Sequence, residues 1–336
     1  MKMKALALVA SMLAVLSAPV SAQISERTFK VGIGLSEDHP QGLAVKYFGE
    51  QLVAKSGGKL KAKLFASGAL GNDVTMTAAL RGGTQEMTIP EVSTLMSMVR
   101  NFGAISMPLT FNNEQEADAV LDGHFGQSLM GKLPEKGLVG LGYWENGFRH
   151  ITNNRRPITK AEDLAGLKMR VIQSPLYLDT FAALGANAMP MPFTELYSAM
   201  EQGAVDGQEN PLGLILASKF YEVQKHLVMS RHIYSTWVLL MSKKTWDSLS
   251  AQEQKIVQEA AREATLYERK TIRAFNEKAL GDLKKAGMQV TELPAAEHAK
   301  LRAKLQPVIA KYAKEFGEDS VSEIQAELAK ARASSK

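Results

Sequence analysis

Two arginines lie in segments whose other residues are mostly apolar, and an asparagine in a third segment accompanies them. Arg149 ends the stretch "GYWENGFR", Arg170 lies within "GLKMRV", and Asn210 lies within "QENP". Burial of an unpaired guanidinium is costly, so each arginine needs an anion or several acceptors. The planar guanidinium matches a carboxylate, which it binds through two parallel hydrogen bonds. The pattern favours binding of a small organic anion, although an internal Arg–Glu pair would satisfy either arginine equally well.

The sequence contains no recognisable catalytic constellation. "GIGLSE" begins like a dinucleotide fingerprint but lacks the third glycine, and no phosphate-binding loop, H-E-x-x-H or G-x-S-x-G pattern occurs. The six histidines are spread singly, without the spacing of a metal site on a helix. We therefore expect a protein that is not an enzyme and that has no cofactor and no metal.

The N-terminus has the pattern of a cleaved secretory signal. Lys2 and Lys4 precede an apolar run, and Val20 and Ala22 are small residues at the two positions that a signal peptidase inspects. The run is shorter than the roughly 20 residues needed to span a bilayer. We predict a signal peptide over 1–22 and a soluble, exported mature protein.

Length and charge narrow the class of protein further. Removal of 1–22 would leave 314 residues with a net charge near +3. This length exceeds the usual single-core size of about 250 residues, which favours two lobes. Basic residues are scattered, so we expect no nucleic-acid partner. The absence of cysteine excludes disulfides and thiolate chemistry.

The elements that must position these residues follow an alternating pattern. Residues 28–35 and 59–65 read as strands, and residues 43–54 and 74–80 read as helices. Strands that alternate with helices indicate an α/β protein with a mixed or parallel sheet.

A faint internal repeat relates two segments at an offset of 120 residues. "AALRGGTQE" at 78–86 aligns with "SAMEQGAVD" at 198–206. In both, a helix is predicted to end at a glycine with a left-handed conformation, Gly83 or Gly203. The first copy leads to Glu91 and the second to Asn210, as expected for two units that face one cleft. A helix followed by glycine and a strand is also common by chance, and the repeat alone leaves that alternative open.

The C-terminal third is predicted to contain one long helix. Ser250 and Glu253 form a capping box, and residues 251–285 contain no proline. We predict a helix over this range, with a break near Gly281. At 1.5 Å per residue, 30 residues reach about 45 Å, long enough to brace two lobes.

Several longer phrases resemble the DctP-type solute-binding proteins of tripartite ATP-independent periplasmic (TRAP) transporters. They cover nearly all of the predicted mature chain in the family's order: "FASGALGND" at 65–73, "GFRHITNNRRPI" at 147–158, "EDLAGLKMRV" at 162–171, "LGANAMPMPFTELYSAMEQGAVDGQENP" at 184–211 and "KFYEVQKHL" at 219–227. The resemblance implies a two-lobed α/β periplasmic binding protein fold with mixed sheets, crossing strands and a long bracing helix. We assign 23–146 plus 236–275 to lobe I, and 147–235 plus 276–336 to lobe II.

The resemblance also implies a ligand site. Arg170 matches the family arginine that pairs with the ligand carboxylate, Arg149 matches a second binding arginine, and Asn210 matches the asparagine that fixes the carboxylate or the arginine. The other candidates are polar or aromatic residues where related proteins contact or enclose the ligand: Glu91, Asp73, Asn72, His39, Tyr234 and Trp237. For the two aromatic residues, ordinary core packing is an open alternative.

The function implied by the resemblance is capture of an organic acid in the periplasm. A monomer would close around the ligand and deliver it to a small and a large membrane subunit, DctQ-like and DctM-like. The motifs are most similar to those of members that bind sugar acids, such as uronates, aldonates or diketogulonate. Glu91 and Asp73 would repel a second carboxylate. A C4-dicarboxylate ligand, or a role as the ligand-binding component of a sensor, are the alternatives.

Overall fold

The computed structural model describes residues 24–334, and the predicted signal peptide over 1–22 lies outside the described residues. Between residues 24 and 334, no helix combines the length and the apolar character needed to cross a bilayer. The first α/β unit consists of β1 (Arg27–Gly32), α1 (Pro40–Ser56), β2 (Leu60–Phe65), α2 (Asp73–Gly82) and β3 (Met87–Thr88). Both predicted strands and both predicted helices of this region are confirmed.

A helical segment and one long strand follow the first unit. They are α3 (Glu114–Asp122), α4 (His124–Gly131) and β4 (Leu138–Asn153). The second α/β unit consists of β5 (Lys168–Val171), α5 (Pro175–Ala183), β6 (Asn187–Pro190), α6 (Leu196–Glu201) and β7 (Gly207–Pro211). It continues into α7 (Leu212–Ala217), β8 (His226–Met229) and β9 (Tyr234–Ser242).

Two mixed sheets share strand β4. In the first sheet the order is β2–β1–β3–β9–β4, and in the second β7–β5–β6 continues from β4, which also pairs with β8. β4 pairs with β9 as far as Phe148 and with β7 from Arg149 onward. The predicted mixed sheets and crossing strands are thus confirmed, and Arg149 stands where β4 passes from one sheet to the other.

The C-terminal region contains α8 (Lys243–Asp247), α9 (Ala251–Lys285), β10 (Gln289–Glu292), α10 (Ala295–Phe316) and α11 (Glu318–Ser334). The capping box of Ser250 and Glu253 is present at the start of α9. The predicted break near Gly281 is wrong, because the helix continues through this exposed position to Lys285. The buried neighbours Ala279 and Leu283 hold the last turns against the core, and this packing offsets the roughly 1 kcal/mol cost of a helical glycine.

The long helix α9 joins parts of the chain that belong to both sheets. It packs against α1 of the first unit, along β4, and against α7 of the second region. At the C-terminus, α10 packs against α5, whereas α11 packs against α3 and α4. The predicted lobe II therefore includes a helix that rests on the segment assigned to lobe I. The exact lobe ranges stay a prediction.

Apolar side chains fill the space between the sheets and the helices. Phe29 and Val31 of β1 are buried in the first unit, and Tyr177 and Phe181 of α5 are buried in the second. With both faces covered, buried polar residues within the strands, such as Asn146 and Arg149 of β4, need hydrogen-bond partners. These two residues lie at a cavity between the two units.

Candidate functional site

A cavity lies between the two α/β units and measures about 620 Å³ when the space open to solvent is included. Its polar lining comes from both units and from β4, the strand that the two sheets share: Gln41, Asn72, Asp73, Glu91, Thr94, Asn146, Arg149, Arg170, Gln173, Thr194 and Asn210. Seven of the nine predicted site residues line it: Arg170, Arg149, Asn210, Glu91, Asp73, Asn72 and Trp237. A small cavity with a few converging polar groups is the usual form of a ligand site.

Arg170 brings a buried positive charge to this cavity. It is 3% exposed, and its Nε and Nη2 atoms donate to the carbonyl oxygen of Met191 at 2.9 and 2.7 Å. Among residues 24–334 no carboxylate lies within 4.0 Å of its guanidinium. Burial lowers the pKa of Arg170 to about 10, while the more distant carboxylate of Glu209 opposes that shift. The guanidinium remains charged at neutral pH and has an unused edge.

Arg149 is paired inside the protein. Its Nε and Nη2 atoms donate to the Glu209 carboxylate, with 2.7 Å between Nη2 and Oε1, and its Nη1 atom donates to Ser235 Oγ at 3.2 Å. Burial alone would lower the pKa of Arg149, but the charge and hydrogen bonds of Glu209, together with the nearby Tyr177 and Glu91, outweigh burial and raise it. Of the two interpretations of this arginine, the internal Arg–Glu pair is therefore present.

Glu209 was not among the predicted site residues. It lies on β7, has no exposed surface, and also contacts His232 Nε2 at 3.2 Å. Burial raises the pKa of Glu209 and the charge of Arg149 lowers it, with a net shift downward. The available signal was a glutamate directly before Asn210 in "QENP", because a carboxylate that is buried with its neighbours also needs a buried partner.

Asn210 follows Glu209 and faces the same cavity. It is 2% exposed, and its amide nitrogen donates to Gln208 Oε1 at 2.5 Å. No described residue donates a hydrogen bond to its amide oxygen. The amide nitrogen of Asn210 is therefore held by Gln208, and its amide oxygen can accept a hydrogen bond from a ligand.

The first unit contributes acidic and amide groups to the opposite wall. Asn72 caps α2, and its amide oxygen accepts from the backbone nitrogens of Val74 and Thr75 at 3.0 Å each. The amide nitrogen of Asn72 has no bond to a described residue. Asp73 accepts from the backbone nitrogen of Glu91 at 3.1 Å, and burial raises the pKa of Asp73.

Glu91 lines the cavity, but its carboxylate is engaged within the protein. It accepts from Ser93 N at 2.8 Å, from Ser93 Oγ, and from Ser106 Oγ at 3.0 Å. Tyr177 of the second unit lies 3.5 Å from its Oε1 atom. Burial raises the pKa of Glu91 to about 7, against the opposing effect of these hydrogen bonds. The charge of this wall thus varies near neutral pH.

His39 and Tyr234 are not among the residues that line this cavity, and a role for either in ligand binding stays a prediction. His39 caps α1, its Nδ1 atom accepting from Gln41 N at 3.1 Å, and burial lowers the pKa of His39 to about 3. A neutral, capping histidine cannot pair with an anion. Tyr234 packs between Phe111 and Phe148, because residues alternate along β9 between core and cavity.

Several lining residues were not predicted. Phe193 lies with its ring centroid 6.0 Å from the Arg170 guanidinium carbon, and Met191 supplies the carbonyl that holds this arginine. Both belong to "MPMPF", a part of the phrase at 184–211 that resembles the family, but no binding role was predicted for either residue. The two units also touch at the rim, where a Cβ atom on Gly68 would lie 2.5 Å from the Thr194 methyl group. The described conformation is thus closed around the cavity.

Known proteins share this architecture. The family model described as "Bacterial extracellular solute-binding protein, family 7" (DctP) matches residues 31–315. The chain is 35% identical over 275 residues to the 2,3-diketo-L-gulonate-binding periplasmic protein YiaO of Escherichia coli (strain K12), covering 82% of this chain and 84% of that protein.

Two solved structures extend the comparison. One is the sugar acid binding protein DctPAm from Advenella mimigardefordensis strain DPN7T in complex with galactonate, with a TM-score of 0.90, 44% identity, and coverage of 92% of this chain and 99% of that chain. The other is a TRAP periplasmic solute binding protein from Sulfurospirillum deleyianum DSM 6946 with bound succinate, with a TM-score of 0.86, 32% identity, and coverage of 90% and 99%. The chain therefore belongs to the DctP family of TRAP transporter solute-binding proteins.

Proposed function

We propose that this protein binds a sugar acid, such as a uronate, an aldonate or diketogulonate, by its carboxylate. The observation that carries the proposal is Arg170, a buried guanidinium that has no carboxylate within 4.0 Å among residues 24–334. Burying a charge without a partner is costly, and a ligand carboxylate removes that cost.

The unused hydrogens of the two arginines suit one carboxylate. A guanidinium has five N–H donors, and Arg170 uses only Nε and one hydrogen of Nη2 on the Met191 carbonyl. Its Nη1–Nη2 edge is left for a bidentate contact. Arg149 retains one Nη1 hydrogen beyond its bond to Ser235, and the amide of Asn210 stands beside it.

The charges around the cavity favour one carboxylate with hydroxyl groups over two carboxylates. Glu209 neutralises Arg149, so Arg170 is the one cation on the described lining without an ion pair. A second carboxylate would approach Asp73 and Glu91 and be repelled. The relatives that bind galactonate and diketogulonate support this choice, whereas the relative with bound succinate makes a C4-dicarboxylate the competing ligand.

The mechanism we propose is capture by closure. The acid binds to Arg170 on the second unit, and Asn72, Asp73 and the wall around Glu91 complete its contacts when the units close. Binding shifts the population towards the closed state because these contacts exist only there. A monomer, exported by its signal peptide to the periplasm, then delivers the unchanged acid to DctQ-like and DctM-like membrane subunits.

Calorimetry and thermal shift against D-galactonate, D-galacturonate, 2,3-diketo-L-gulonate and succinate test the ligand class. A ligand at 100 times its Kd should add about 2.7 kcal/mol to the free energy of unfolding. We expect at least one sugar acid to bind with an affinity at least 100-fold above that of succinate. Tighter binding of succinate would contradict the charge argument, and no response to any acid would contradict the proposed function.

Arg170→Ala tests the anchor. We expect a loss of affinity of at least 100-fold for the best acid, or about 2.7 kcal/mol, because the ligand charge then has no partner in a dry site. Arg170→Lys should recover only part of this loss, since lysine has no planar fork. Arg302→Ala, at an exposed arginine on α10, is the matched control and should bind as the wild type. Wild-type affinity in Arg170→Ala would overturn the assignment.

Uptake separates transport from sensing. Cells that lack this gene should lose uptake of the radiolabelled acid, and expression of the wild-type protein should restore it while Arg170→Ala should not. Normal uptake in the deletion strain, together with a lost transcriptional response to the acid, would favour the sensor alternative.

A further inference from the structure

Asn146 of β4 has a buried side-chain amide in which only one of the two polar atoms is hydrogen-bonded. It is 2% exposed and lines the cavity, and its Nδ2 atom donates to Ser235 Oγ at 3.3 Å. Its Oδ1 atom is buried without a hydrogen-bond partner in the described part of the chain. Exchanging the two ends of the amide would leave the nitrogen unpartnered instead. Since buried polar groups are nearly always hydrogen-bonded, a partner that enters from outside the chain would complete it.

The backbone at Asn146 is held in place by contacts on both sides. β4 has an irregularity between Glu145 and Gly147 in its pairing with β9. Asn276 of α9 donates through Nδ2 to the carbonyl oxygen of Asn146 at 3.1 Å. Gly147 has φ of 112°, and a Cβ atom there would lie 2.7 Å from the Asn276 amide. Such bulges commonly redirect one side chain, here that of Asn146.

Asn146 stands beside the arginine pair. Ser235 Oγ accepts from Arg149 Nη1 at 3.2 Å and from Asn146 Nδ2 at 3.3 Å, so the guanidinium and the amide share one hydroxyl. Asn146, Arg149 and Arg170 all line the cavity, so a carboxylate held by the two arginines with its adjoining carbon on the Ser235 side brings that carbon next to this amide. The substituent on that carbon is then the first part of the ligand within reach of Asn146.

We infer that Asn146 is a specificity-determining residue that accepts a hydrogen bond from a hydroxyl group on the carbon next to the ligand carboxylate. The inference rests on the proposed function, and it narrows the ligand class to 2-hydroxy acids. A site that leaves a buried acceptor for a ligand hydroxyl discriminates against the analogue that lacks it, because the acceptor is then unpaired. An uncharged amide selects for this hydroxyl without repelling the carboxylate.

Calorimetry with D-galactonate and 2-deoxy-D-galactonate measures this selection. We expect the wild type to prefer D-galactonate by about ten-fold, the size expected for one buried hydrogen bond. Asn146→Ala should bind the two acids within two-fold of each other, with the affinity for the 2-deoxy acid little changed. The control is Asn154→Ala, which removes another unpartnered amide oxygen outside the cavity and should keep the ten-fold preference.

Asn146→Asp gives a second signature with a side chain of the same shape. The carboxylate still accepts the hydroxyl but repels the ligand anion, so both acids should bind at least ten-fold more weakly while the preference for D-galactonate remains. If Asn146→Ala does not fold, this variant decides: a preference lost in Asn146→Asp overturns the inference.

The failures of the inference and of the proposed function are distinguishable. Equal binding of the two acids by the wild type, or a ten-fold preference retained in Asn146→Ala, overturns the role of Asn146 while Arg170→Ala still abolishes binding. If the wild type binds neither D-galactonate nor 2-deoxy-D-galactonate, the inference about Asn146 also fails. If Arg170→Ala binds both acids as the wild type does, the proposed function itself fails.

Discussion

The two α/β units have the same backbone plan and present opposite charges to the cavity. In each, a central strand lies between two parallel neighbours, β2–β1–β3 in one and β6–β5–β7 in the other. In each, a carboxylate before the third strand accepts from a backbone nitrogen of the central strand, Glu86 from Lys30 and Asp206 from Lys168, at 2.9 Å. The segments aligned at an offset of 120 residues occupy equivalent places.

The difference begins where the strands end. The first unit brings Asp73 and Glu91 to the cavity, and the second brings Arg170 and Asn210. A shared scaffold therefore sets where the side chains stand, and the residue types at the strand ends decide the chemistry of each wall. Specificity arises from the asymmetry between two similar halves.

The two arginines differ most in their partners, and substitution by methionine compares them directly. Arg149→Met would leave the Glu209 carboxylate buried without its guanidinium, and we expect it to lower the free energy of unfolding by about 3–5 kcal/mol. Arg170→Met removes a charge that contacts only a carbonyl, so its cost should stay below about 1 kcal/mol. Urea denaturation without ligand measures both.

An exposed ion pair supplies the reference for this experiment. Glu263→Gln breaks an exposed ion pair with Lys55 and should leave the free energy of unfolding almost unchanged, because solvent screens the two charges. Equal decreases in the free energy of unfolding for Arg149→Met and Arg170→Met would contradict this prediction. They would show that the ion pair with Glu209 does not make Arg149 more important for stability than Arg170.

Glu91 makes the acidic wall sensitive to pH. Burial raises its pKa from the ordinary 4.5 to about 7, so the folded state holds a proton that the unfolded state releases between these values. The stabilising contribution is fully present below pH 4.5 and is lost as the pH rises through 7, an effect of up to about 3 kcal/mol. Glu91→Gln should abolish this part of the pH dependence, which unfolding between pH 4.5 and 8 measures.

The dependence of stability on pH in Glu91→Gln decides whether Glu91 causes this effect. If Glu91→Gln and the wild type lose stability in parallel over this range, other buried acids such as Glu268, whose pKa burial also raises, carry the effect. Such a result would mean that Glu91 does not titrate in this pH range and that its wall does not change charge there through Glu91.

The glycines of the repeat test the equivalence of the two units. Gly83 and Gly203 have φ of 74° and 71°, in the left-handed region that disfavours other residues. Gly203→Ala should cost about 1 kcal/mol. Gly83→Ala should cost slightly more, because a Cβ atom would lie 2.6 Å from Lys244 Cδ, which must move. Thermal unfolding measures both, and a cost near zero at either position would contradict equivalent caps.

Much of the framework followed from local patterns. The first strands and helices, the capping box at Ser250 and the uninterrupted α9 up to Gly281 reflect periodicity and hydrogen bonds between residues near in sequence. The continuation of α9 past Gly281 did not follow from local patterns, because it depends on packing of Ala279 and Leu283 against residues distant in the sequence. The contact of the His39 ring with the start of its own helix was not predicted either.

The sequence by itself indicated that two arginines lie in buried strands and need an anion or several acceptors, because the cost of burying a charge depends little on the rest of the fold. Only the tertiary structure decided which partner each has. The pairing of β4 with β7 brings Glu209 to Arg149, whereas the edge of the Arg170 guanidinium opens on the cavity. That choice depends on contacts between residues 60 positions apart, which no local pattern encodes.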